Sequence, residues 1–496
     1  MRRASEVLLT LDERPESGSR QQWLYKALCD AMRDGRLPPG SRVPTSRSLA
    51  RDHGLSRSTV TLVFERLIAD GYIHAQVGRG SFVTDRPVAN ASPTVAPEAP
   101  PFAHPPLLSH RGRALALNRR RIEPAWPQTF LPDCGDTSLF PVETWTRLAM
   151  QRERWRDPHW LLPGDVQGLR PLREALARHL SVARGLPCTA EQLVIVGSAG
   201  QGLDLLVRLL LDPGDAVWIE DPGLCHRHVL FEAASAQLVA VPVDHDGLDV
   251  AAGAQLAPYA RLVHLSGAVL RPLGVPLAPA RRRALLDWAE ACQAYVIEEE
   301  HEADFVLGNL AVPSLRAVAG ADTRVIQVGG LAHSLFPGLQ LAYLLLPDAL
   351  LEPVCAALAA TGQQPSAQEQ QLLLDFIEQG GLARHLRELR ERYASRAATL
   401  QSSLDRHFGE WLRFAPVRQG LSLTAFLPDP VDAVRISSRA AGMGITVTPL
   451  SAYRVRHPVP QGVRLGFAAF AEASIRAGIE KLAATLLERI GRSEPR

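Results

Sequence analysis

Side chains that suit contact with nucleic acid lie close together between residues 47 and 79. Hydroxyl and guanidinium groups are the usual protein donors to phosphate oxygens and to base edges in the major groove of DNA. The candidates in this stretch are Arg47, Ser56, Arg57, Ser58, Thr59, Thr61 and Arg79. Because the same side chains are common on any exposed helix, their role depends on the elements that hold them.

Two short helices and a hairpin are predicted to hold these residues. Gly54 provides a turn between the helices, and Ser56 is expected to cap the second helix. Apolar residues follow at the spacing of one helix face: Val60, Phe64, Leu67 and Ile68. Beyond Gly71, alternating residues and a return through 81–83 predict a two-stranded wing with Arg79 at its tip. The pattern predicts a DNA-binding winged helix-turn-helix, and a helical hairpin with a charged surface is the less favoured alternative.

Residues 1–86 closely resemble the winged helix-turn-helix of the GntR family of bacterial transcription regulators. The resemblance rests on three segments: GRLPPGSRVPTSRSLA, LSRSTV and LIADGYIHAQVGRGSFV. It implies that this domain binds double-stranded operator DNA. In such a complex the three arginines would contact phosphates or the groove, and the hydroxyl residues would adjust the register.

The composition is that of a large protein without disulfides or bound metal. A length of 496 residues predicts roughly three structural units. The net charge is only +2, so any signal for nucleic acid is local. The six cysteines lie far apart, without a CxxC pair or a histidine cluster, which predicts reduced thiols and no metal site. No apolar run reaches membrane-spanning length and the start lacks a signal-peptide pattern, so we expect a cytoplasmic protein.

The rest of the chain divides into a linker and an α/β region. Residues 87–127 are rich in Pro, Ala and Arg, which predicts an extended, partly stiff linker. The arginines at 119–121 either contact the DNA backbone or, as favoured, only solvate the linker. Farther on, short apolar runs alternate with amphipathic helical patterns, which predicts a mostly parallel sheet with helices on both faces. We expect a large domain over 128–375, then a long helix, broken at Gly380-Gly381, and a smaller α+β subdomain over 376–496.

The α/β region resembles the fold-type-I aminotransferase domain of the MocR subfamily, in which it is joined to a GntR-type DNA-binding domain. The segments that carry the resemblance include DVQGLRPLREALARHL, LLLDPGDAVWIEDPG and LFPGLQLAYLLLP. The resemblance implies an α/β fold of the pyridoxal-phosphate transferase type with a smaller C-terminal subdomain. It also implies a homodimer, a cofactor held on a lysine, and an amine or cofactor-linked effector that controls DNA binding.

The residues of the cofactor pocket depart from the pattern of that family. The position of the Schiff-base lysine is occupied by His333, and an imidazole forms no stable aldimine. The chain has only two lysines, Lys26 and Lys481, and neither is near the motif. The run at 267–270 replaces the usual Pro-Ser-His-Gln. Glu299 stands where the family presents a carboxylate to the pyridine nitrogen, and His301 replaces the tyrosine two residues further on. Gln340 replaces the arginine that helps to hold the phosphate, and Leu224 replaces the aromatic residue that stacks on the ring.

Two further features of the pocket leave alternatives open. Arg464 matches the family arginine that pairs with a substrate carboxylate, and a structural ion pair is the equal alternative. The run Glu298-Glu299-Glu300 either holds a metal or a cationic ligand or, as favoured, points one carboxylate into the pocket while the others cap or solvate.

These departures predict a transcription regulator whose aminotransferase-like domain is a pseudoenzyme without catalytic residues. We expect no covalently bound pyridoxal phosphate, while non-covalent binding and sensing of this cofactor stay open. A working pyridoxal-dependent aminotransferase with a DNA-binding head is less favoured, because it requires the missing lysine. A dimerisation domain that binds no ligand is also compatible with these residues.

Overall fold

A computed structural model describes residues 19–76, 78–84, 108–117, 128–153, 164–300, 302–308, 312–318 and 320–490. The chain divides into two compact units, Met1–Leu107 and Leu108–Arg496. His301 and the predicted linker outside residues 108–117 are not among the described residues. None of the described helices is both long and apolar enough to span a membrane.

The first unit combines three helices with a two-stranded antiparallel wing. Its elements are α1 Arg20–Arg33, α2 Ser46–Asp52, α3 Arg57–Ala69, β1 Ile73–Gln76 and β2 Gly80–Val83. Each helix follows a residue whose side-chain oxygen accepts a backbone N–H: Ser19, Thr45 and Ser56. The wing pairs Ile73 with Val83. The predicted cap at Ser56 and the predicted hairpin are thus both present.

The core of this unit differs at one position from the predicted apolar face of α3. Val60, Val63 and Leu67 are buried, Phe64 is partly buried, and Ile68 is 42% exposed. Residues three apart share a helix face just as residues four apart do, so the spacing alone does not fix which flank turns inward. The prediction was wrong for Ile68, and Val63 takes its place.

The second unit is built on a large sheet flanked by helices. In chain order, its strands are β3 Leu193–Val196, β4 Ala216–Asp221, β5 Gln237–Asp244, β6 Gly247–Leu248, β7 Leu262–Leu265, β8 Val269–Leu270, β9 Val275–Pro276, β10 Tyr295–Glu300, β11 Val325–Gly330, β12 Ala342–Leu345, β13 Arg413–Phe414, β14 Ser422–Phe426, β15 Thr448–Pro449 and β16 Gly462–Gly466. Its α-helices are α4 His110–Leu117, α5 Val142–Glu153, α6 Arg170–Arg184, α7 Ala199–Leu210, α8 His228–Ala233, α9 Val250–Leu256, α10 Pro279–Ala291, α11 Asp348–Thr361, α12 Ala367–Glu378, α13 Gly381–Phe408, α14 Ala433–Gly442 and α15 Glu472–Ile490.

The large sheet has eight strands in the order β3-β12-β11-β10-β7-β4-β5-β6. The pairs that join β5, β4, β7, β10 and β11 are parallel. Only β12 and the short β6 run antiparallel to their neighbours. The prediction of a mostly parallel sheet is therefore confirmed.

Alternate strand residues enter different apolar cores. In β3, Leu193 and Ile195 pack into one buried cluster, whereas Val194 and Val196 pack into another. Successive residues of a strand point to opposite faces, so the two clusters cover both faces of the sheet. This double burial explains why β3 is apolar throughout rather than alternating.

The C-terminal part adds a four-stranded antiparallel sheet in the order β13-β14-β16-β15. The 28-residue α13 is separated from α12 at Gly380, whose φ of 72° lies in the left-handed region that favours glycine. A Cβ on Gly381 would lie 2.5 Å from the ring of Phe376, so this turn requires a glycine there as well. The predicted break is confirmed, and the predicted domain boundary after residue 375 falls inside α12.

Part of the predicted linker is a helix that belongs to the second unit. α4 packs against α8, and Arg111 Nε donates a hydrogen bond to the Ala233 carbonyl at 3.2 Å. The prediction of an extended chain over 87–127 was therefore wrong for residues 110–117. The composition of the whole stretch is rich in proline, but the segment HRGRALAL contains none and can therefore form a helix.

Candidate functional site

The N-terminus of α3 presents most of its polar side chains to solvent. Ser56 Oγ accepts the backbone N–H of Thr59 at 3.1 Å, which caps the helix. The half-buried Thr59 hydroxyl lies 2.7 Å from Ser56 Oγ and therefore takes part in the cap. Arg57, Ser58 and Thr61 are exposed. The surface of α3 thus offers one guanidinium group and two hydroxyls to a partner.

Ion pairing separates the arginines of the first unit into two groups. Arg47, Arg57 and Arg79 are exposed and pair with no acidic residue that the structure describes. A guanidinium without a counter-charge is available to a phosphate, so these three fit the predicted role. Other arginines already pair with aspartates over 2.7–3.7 Å: Arg33 with Asp30, Arg36 with Asp34, Arg51 with Asp52 and Arg66 with Asp70.

Arg42 is a further cation beside the wing that the sequence analysis did not select. Its backbone forms an isolated antiparallel β-bridge with Phe82 of β2. Its Nε lies 2.9 Å from the position that a Cβ on Gly80 would take. The guanidinium therefore lies against the glycine next to Arg79. Arg42 precedes α2 and lies outside the helices and strands predicted from the sequence, so the sequence did not indicate this contact.

Glu299 lies in a buried ion-paired group near the end of β10. Its Oε1 accepts a hydrogen bond from Arg227 Nε at 2.8 Å and forms an ion pair with Arg227 Nη2 at 2.6 Å. Its Oε2 lies 3.0 Å from His264 Nε2. The Glu299 side chain is 1% exposed. Both oxygens of this carboxylate are thus engaged by side chains of the chain itself.

Arg227 reaches from Glu299 to the first turn of α7. Its Nη1 lies 2.8 Å from the position that a Cβ on Gly200 would take. The free backbone N–H groups of a first helical turn attract anions, yet here a cation lies beside them. Leu224 is buried, and its carbonyl accepts the backbone N–H of Arg227 at 3.3 Å. The turn at Leu224 therefore positions the arginine that holds Glu299.

The neighbouring carboxylates of β10 are also buried, and they bind backbone N–H groups. Glu298 accepts hydrogen bonds from the Ser314 hydroxyl and from the N–H of Leu315, the latter at 2.8 Å. Burial, assisted by the nearby Glu300, raises the pKa of Glu298 to about 7. Glu300 accepts the N–H of Ala268 at 2.6 Å. Of the two roles expected for the other carboxylates, solvation is excluded because all three glutamates are buried, whereas Glu298 caps the short helix that begins at Leu315.

Arg464 on β16 belongs to a cluster of four charged side chains, three of them buried and one, Asp133, partly exposed. Its Nη2 donates to Asp133 Oδ1 at 2.6 Å, and its Nη1 donates to the Pro272 carbonyl at 3.0 Å. Beside it, Arg271 Nη1 donates to Glu302 Oε1 at 3.2 Å. Burial would raise the pKa of Asp133, but Arg464 and Arg271 outweigh this effect and hold that pKa below its ordinary range.

A small cavity adjoins this cluster. Its lining includes Arg464, Arg271, Glu302, Glu300 and Gln419. Its volume is about 30 Å³, room for about two water molecules. Two buried polar atoms of the lining, Arg464 Nε and Gln419 Oε1, have no hydrogen-bond partner in the described part of the chain. The cavity therefore offers polar atoms to a ligand but little space.

The other predicted pocket residues border different segments, since the His333 carbonyl lies near Gly135 and the Gln340 carbonyl lies near Gly197. His333 is half-buried and close enough to Asp133 to contribute to lowering its pKa. Gln340 is exposed, and its carbonyl lies 4.0 Å from the position that a Cβ on Gly197 would take, near the start of α7. Lys26 and Lys481 are exposed on α1 and α15. The second unit therefore has one described lysine, Lys481, and it lies at the surface.

One group of residues has the spacing of metal ligands, although no metal site was expected. Asp244, His245 and Asp246 bring their ligand atoms within 4.8 Å of one another. They lie on the turn between β5 and β6, and only Asp244 is partly buried. Exposed acidic turns of this kind are common without a cation. The group therefore carries no functional assignment.

Comparison with known proteins identifies both units. Residues 20–83 match the family model of bacterial regulatory proteins of the gntR family, and residues 134–482 match that of class I and II aminotransferases. Over 97% of the chain, the sequence is 30% identical to “Probable rhizopine catabolism regulatory protein MocR” from Rhizobium meliloti, and the alignment covers 96% of that relative. The chain belongs to the MocR family of GntR-type transcriptional regulators. The pyridoxine biosynthesis regulator PdxR of Corynebacterium glutamicum is 28% identical over 89% of the chain and 90% of its own length.

Solved structures establish the fold of the second unit of this MocR-family chain. The multiple substrate aminotransferase of Thermococcus profundus superposes with a TM-score of 0.67 and 23% identity, covering 78% of this chain and 98% of that one. The α-aminoadipate aminotransferase LysN of Thermus thermophilus, complexed with N-(5'-phosphopyridoxyl)-L-leucine, gives a TM-score of 0.64 and 23% identity over 73% and 93%. The second unit therefore has the fold of the pyridoxal-phosphate-dependent aminotransferases.

Proposed function

We propose that this regulator binds operator DNA through its first unit and uses its second unit as a pseudoenzyme. In this proposal the second unit forms a homodimer and offers a pocket for a small effector, without covalent pyridoxal phosphate. The observation that carries the proposal is the position of Arg227. Its guanidinium group takes the Glu299 carboxylate that the family offers to the pyridine nitrogen.

The residues present do not fit pyridoxal phosphate as a covalent cofactor. His333 stands at the lysine position and supplies no amine for a Schiff base. Gln340 stands at the phosphate arginine position and offers no charge-assisted donor. Arg227 pairs with Glu299 and so occupies the carboxylate that would face the pyridine nitrogen. Each departure supports the same conclusion, because each removes a different anchor of the cofactor.

The DNA contacts in this proposal come from the exposed arginines and hydroxyls of the first unit. Arg57 at the start of α3 and Arg79 at the wing tip are the phosphate or groove contacts, together with Arg47 on α2. Ser58 and Thr61 face outward on α3 and adjust the register. A homodimer would place two such surfaces on two operator half-sites, as two-fold symmetric regulators do.

A titration with pyridoxal phosphate tests the pseudoenzyme half. The full-length protein is titrated, its visible absorption is recorded, and its mass is measured after borohydride reduction. We expect no aldimine band and no reduced adduct within the pocket. An adduct that maps to the pocket would instead support the aminotransferase alternative. Saturable binding without a band or adduct would support non-covalent sensing of the cofactor.

The Arg57→Ala variant tests the DNA-binding half. A DNA fragment enriched from a random pool by the wild-type protein serves as the probe, and affinity is measured at several salt concentrations. Loss of one phosphate contact should weaken binding roughly tenfold and reduce the slope of log affinity against log salt by about one. Arg33→Ala removes an exposed arginine of the same unit that is already paired with Asp30, and it should leave both quantities unchanged. Equal effects of the two variants would contradict the assignment.

A further inference from the structure

Asp133 has an unusual backbone conformation for a residue other than glycine. Its φ is 59°, in the left-handed region that side chains with a Cβ rarely adopt. Asp and Asn are the residues other than glycine that tolerate this region best. The conformation directs the carboxylate onto Arg464 Nη2 at 2.6 Å. A strained conformation and a short ion pair thus occur at the same residue.

The chain around Asp133 is held in place by two neighbouring contacts. The N–H of Asp133 donates to the Ser422 hydroxyl at 3.0 Å, and the N–H of Asp136 donates to the Tyr393 hydroxyl at 2.9 Å. The carboxylate of Asp136 forms its own ion pair with Arg396 at 2.8 Å. Asp133 is therefore presented to Arg464 by a fixed segment.

Asp133 is the acidic residue that pairs with Arg464, whereas the two nearby glutamates accept hydrogen bonds from other donors. Glu302 is bonded to Arg271, and Glu300 is bonded to the N–H of Ala268. Without Asp133, Arg464 would keep one hydrogen bond, to the Pro272 carbonyl, and its Nε has no partner among the described residues. The Arg464 side chain is 4% exposed, whereas that of Asp133 is 24% exposed. The carboxylate therefore enters the buried cluster from the solvent side.

We infer that Asp133 is a built-in carboxylate ligand that closes the pocket, and that Arg464 binds a free small carboxylate only where Asp133 is displaced. The inference deepens the proposed effector pocket by naming the chemical class of its ligand and the group that excludes it. It requires neither DNA binding nor pyridoxal phosphate. The test of this inference can therefore fail while the pyridoxal phosphate titration and the Arg57→Ala assay succeed. It can also succeed where those two experiments fail.

Chemical rescue of Asp133→Gly by acetate tests this inference. Glycine suits a φ of 59° and removes the equivalent of one acetate ion from the side of Arg464. The thermal midpoint of the full-length variant is measured in sodium acetate and in sodium chloride at equal ionic strength. We expect a lowered midpoint in chloride and a saturable rise of roughly 2 °C at an acetate concentration ten times its dissociation constant. Wild-type protein should show no saturable rise.

Two further variants separate this site from a general effect of acetate. Asp136→Ala removes a carboxylate of the same segment from a different arginine, Arg396, so acetate should act on it no more than on wild type. Asp133→Asn removes the charge but fills the space, so it should be destabilised without rescue. Should Asp133→Gly fail to fold in chloride, its refolding yield in acetate and in chloride replaces the midpoint. A yield that acetate restores supports the inference.

Several outcomes would overturn it. One is an equal response to acetate in Asp133→Gly, Asp136→Ala and wild type, because the effect is then unspecific. Another is a saturable rise for Asp133→Asn as large as that for Asp133→Gly, since the carboxylate would then bind elsewhere. A third is an Asp133→Gly protein whose midpoint or refolding yield is the same in both salts.

Discussion

Replacing Arg227 with methionine should destabilise the second unit, because it removes the cation that pairs with the buried carboxylate of Glu299. The guanidinium donates a hydrogen bond from Nε to Glu299 Oε1 at 2.8 Å, and its Nη2 lies 2.6 Å from the same oxygen. Breaking a buried ion pair by removing one partner decreases the free energy of unfolding by about 3–5 kcal/mol. Arg227 is 20% exposed and Glu299 keeps its contact with His264. We therefore expect a loss near the lower limit, about 3 kcal/mol.

A double-mutant cycle with Glu299→Gln measures the pair itself. Denaturant unfolding of wild type, both single variants and Arg227→Met/Glu299→Gln supplies the four free energies. Because glutamine carries no charge, the double variant should be more stable than the sum of the single losses implies, by about 2 kcal/mol. Methionine retains most of the apolar volume of the arginine side chain, so cavity formation adds little.

Arg208→Met is the matched control for this cycle. Arg208 lies on α7 and pairs with Asp204 at 2.8 Å, but the two side chains are 32% and 39% exposed. Such surface pairs contribute about 0–1 kcal/mol. The reasoning is refuted if Arg227→Met loses no more stability than Arg208→Met, or if the losses of Arg227→Met and Glu299→Gln simply add.

Two other expectations concern the helix cap and a buried carboxyl group. Ser56→Ala should destabilise the first unit by about 1 kcal/mol in denaturant unfolding, because the cap of α3 is lost. Ser56→Asp should keep the stability of the wild type but weaken DNA binding, because it adds a negative charge at the proposed DNA-binding surface. Equal DNA affinity of the two variants would argue against that surface. Burial raises the pKa of Glu220 from 4.5 to about 7, although Ser266 donates two hydrogen bonds to it. The folded chain then holds this proton more tightly than the unfolded chain, so its contribution to stability is complete below pH 4.5 and is lost as the pH rises to 7. Glu220→Gln should remove a decline of roughly 3 kcal/mol in the free energy of unfolding between pH 4.5 and pH 7. The decline is measured as the difference between the unfolding free energies of wild type and variant at each pH. The same pH profile for both proteins would contradict the raised pKa.

The local features of the fold were predictable because local physics produces them. The cap at Ser56, the hairpin around Arg79 and the break at Gly380 each depend on residues a few positions apart. Apolar runs such as that of β3 predict buried strands for a similar reason, since a strand buried on both faces has no polar side. The choice between Val63 and Ile68 could not be made in this way. It depends on which flank of α3 meets α1, which is a tertiary contact.

The candidate pocket was predictable only by what it lacks. The proposed replacement of the cofactor lysine concerns one position, His333, and can be inferred from the sequence alone. The groups that replace the lost interactions cannot be inferred in this way, because Arg227 meets Glu299 across 72 residues and Asp133 meets Arg464 across 331 residues. No spacing rule connects residues that far apart. The fold brings each of them to its partner, so only the structure reveals the new ion pairs.

In the proposed effector pocket, the Asp133–Arg464 pair would set a threshold for the binding of a ligand. A ligand shifts an equilibrium only by the difference between its own affinity and that of the group it replaces. Asp133 is tethered near Arg464, and tethered groups have effective concentrations of about millimolar or higher. A lone carboxylate such as acetate should therefore not displace Asp133 in the wild-type chain, whereas a metabolite with further contacts could. Gln419 Oε1 and Arg464 Nε, the lining atoms that lack hydrogen-bond partners in the described chain, are where such contacts would form. A natural effector should therefore combine a carboxylate with a hydrogen-bond donor for Gln419.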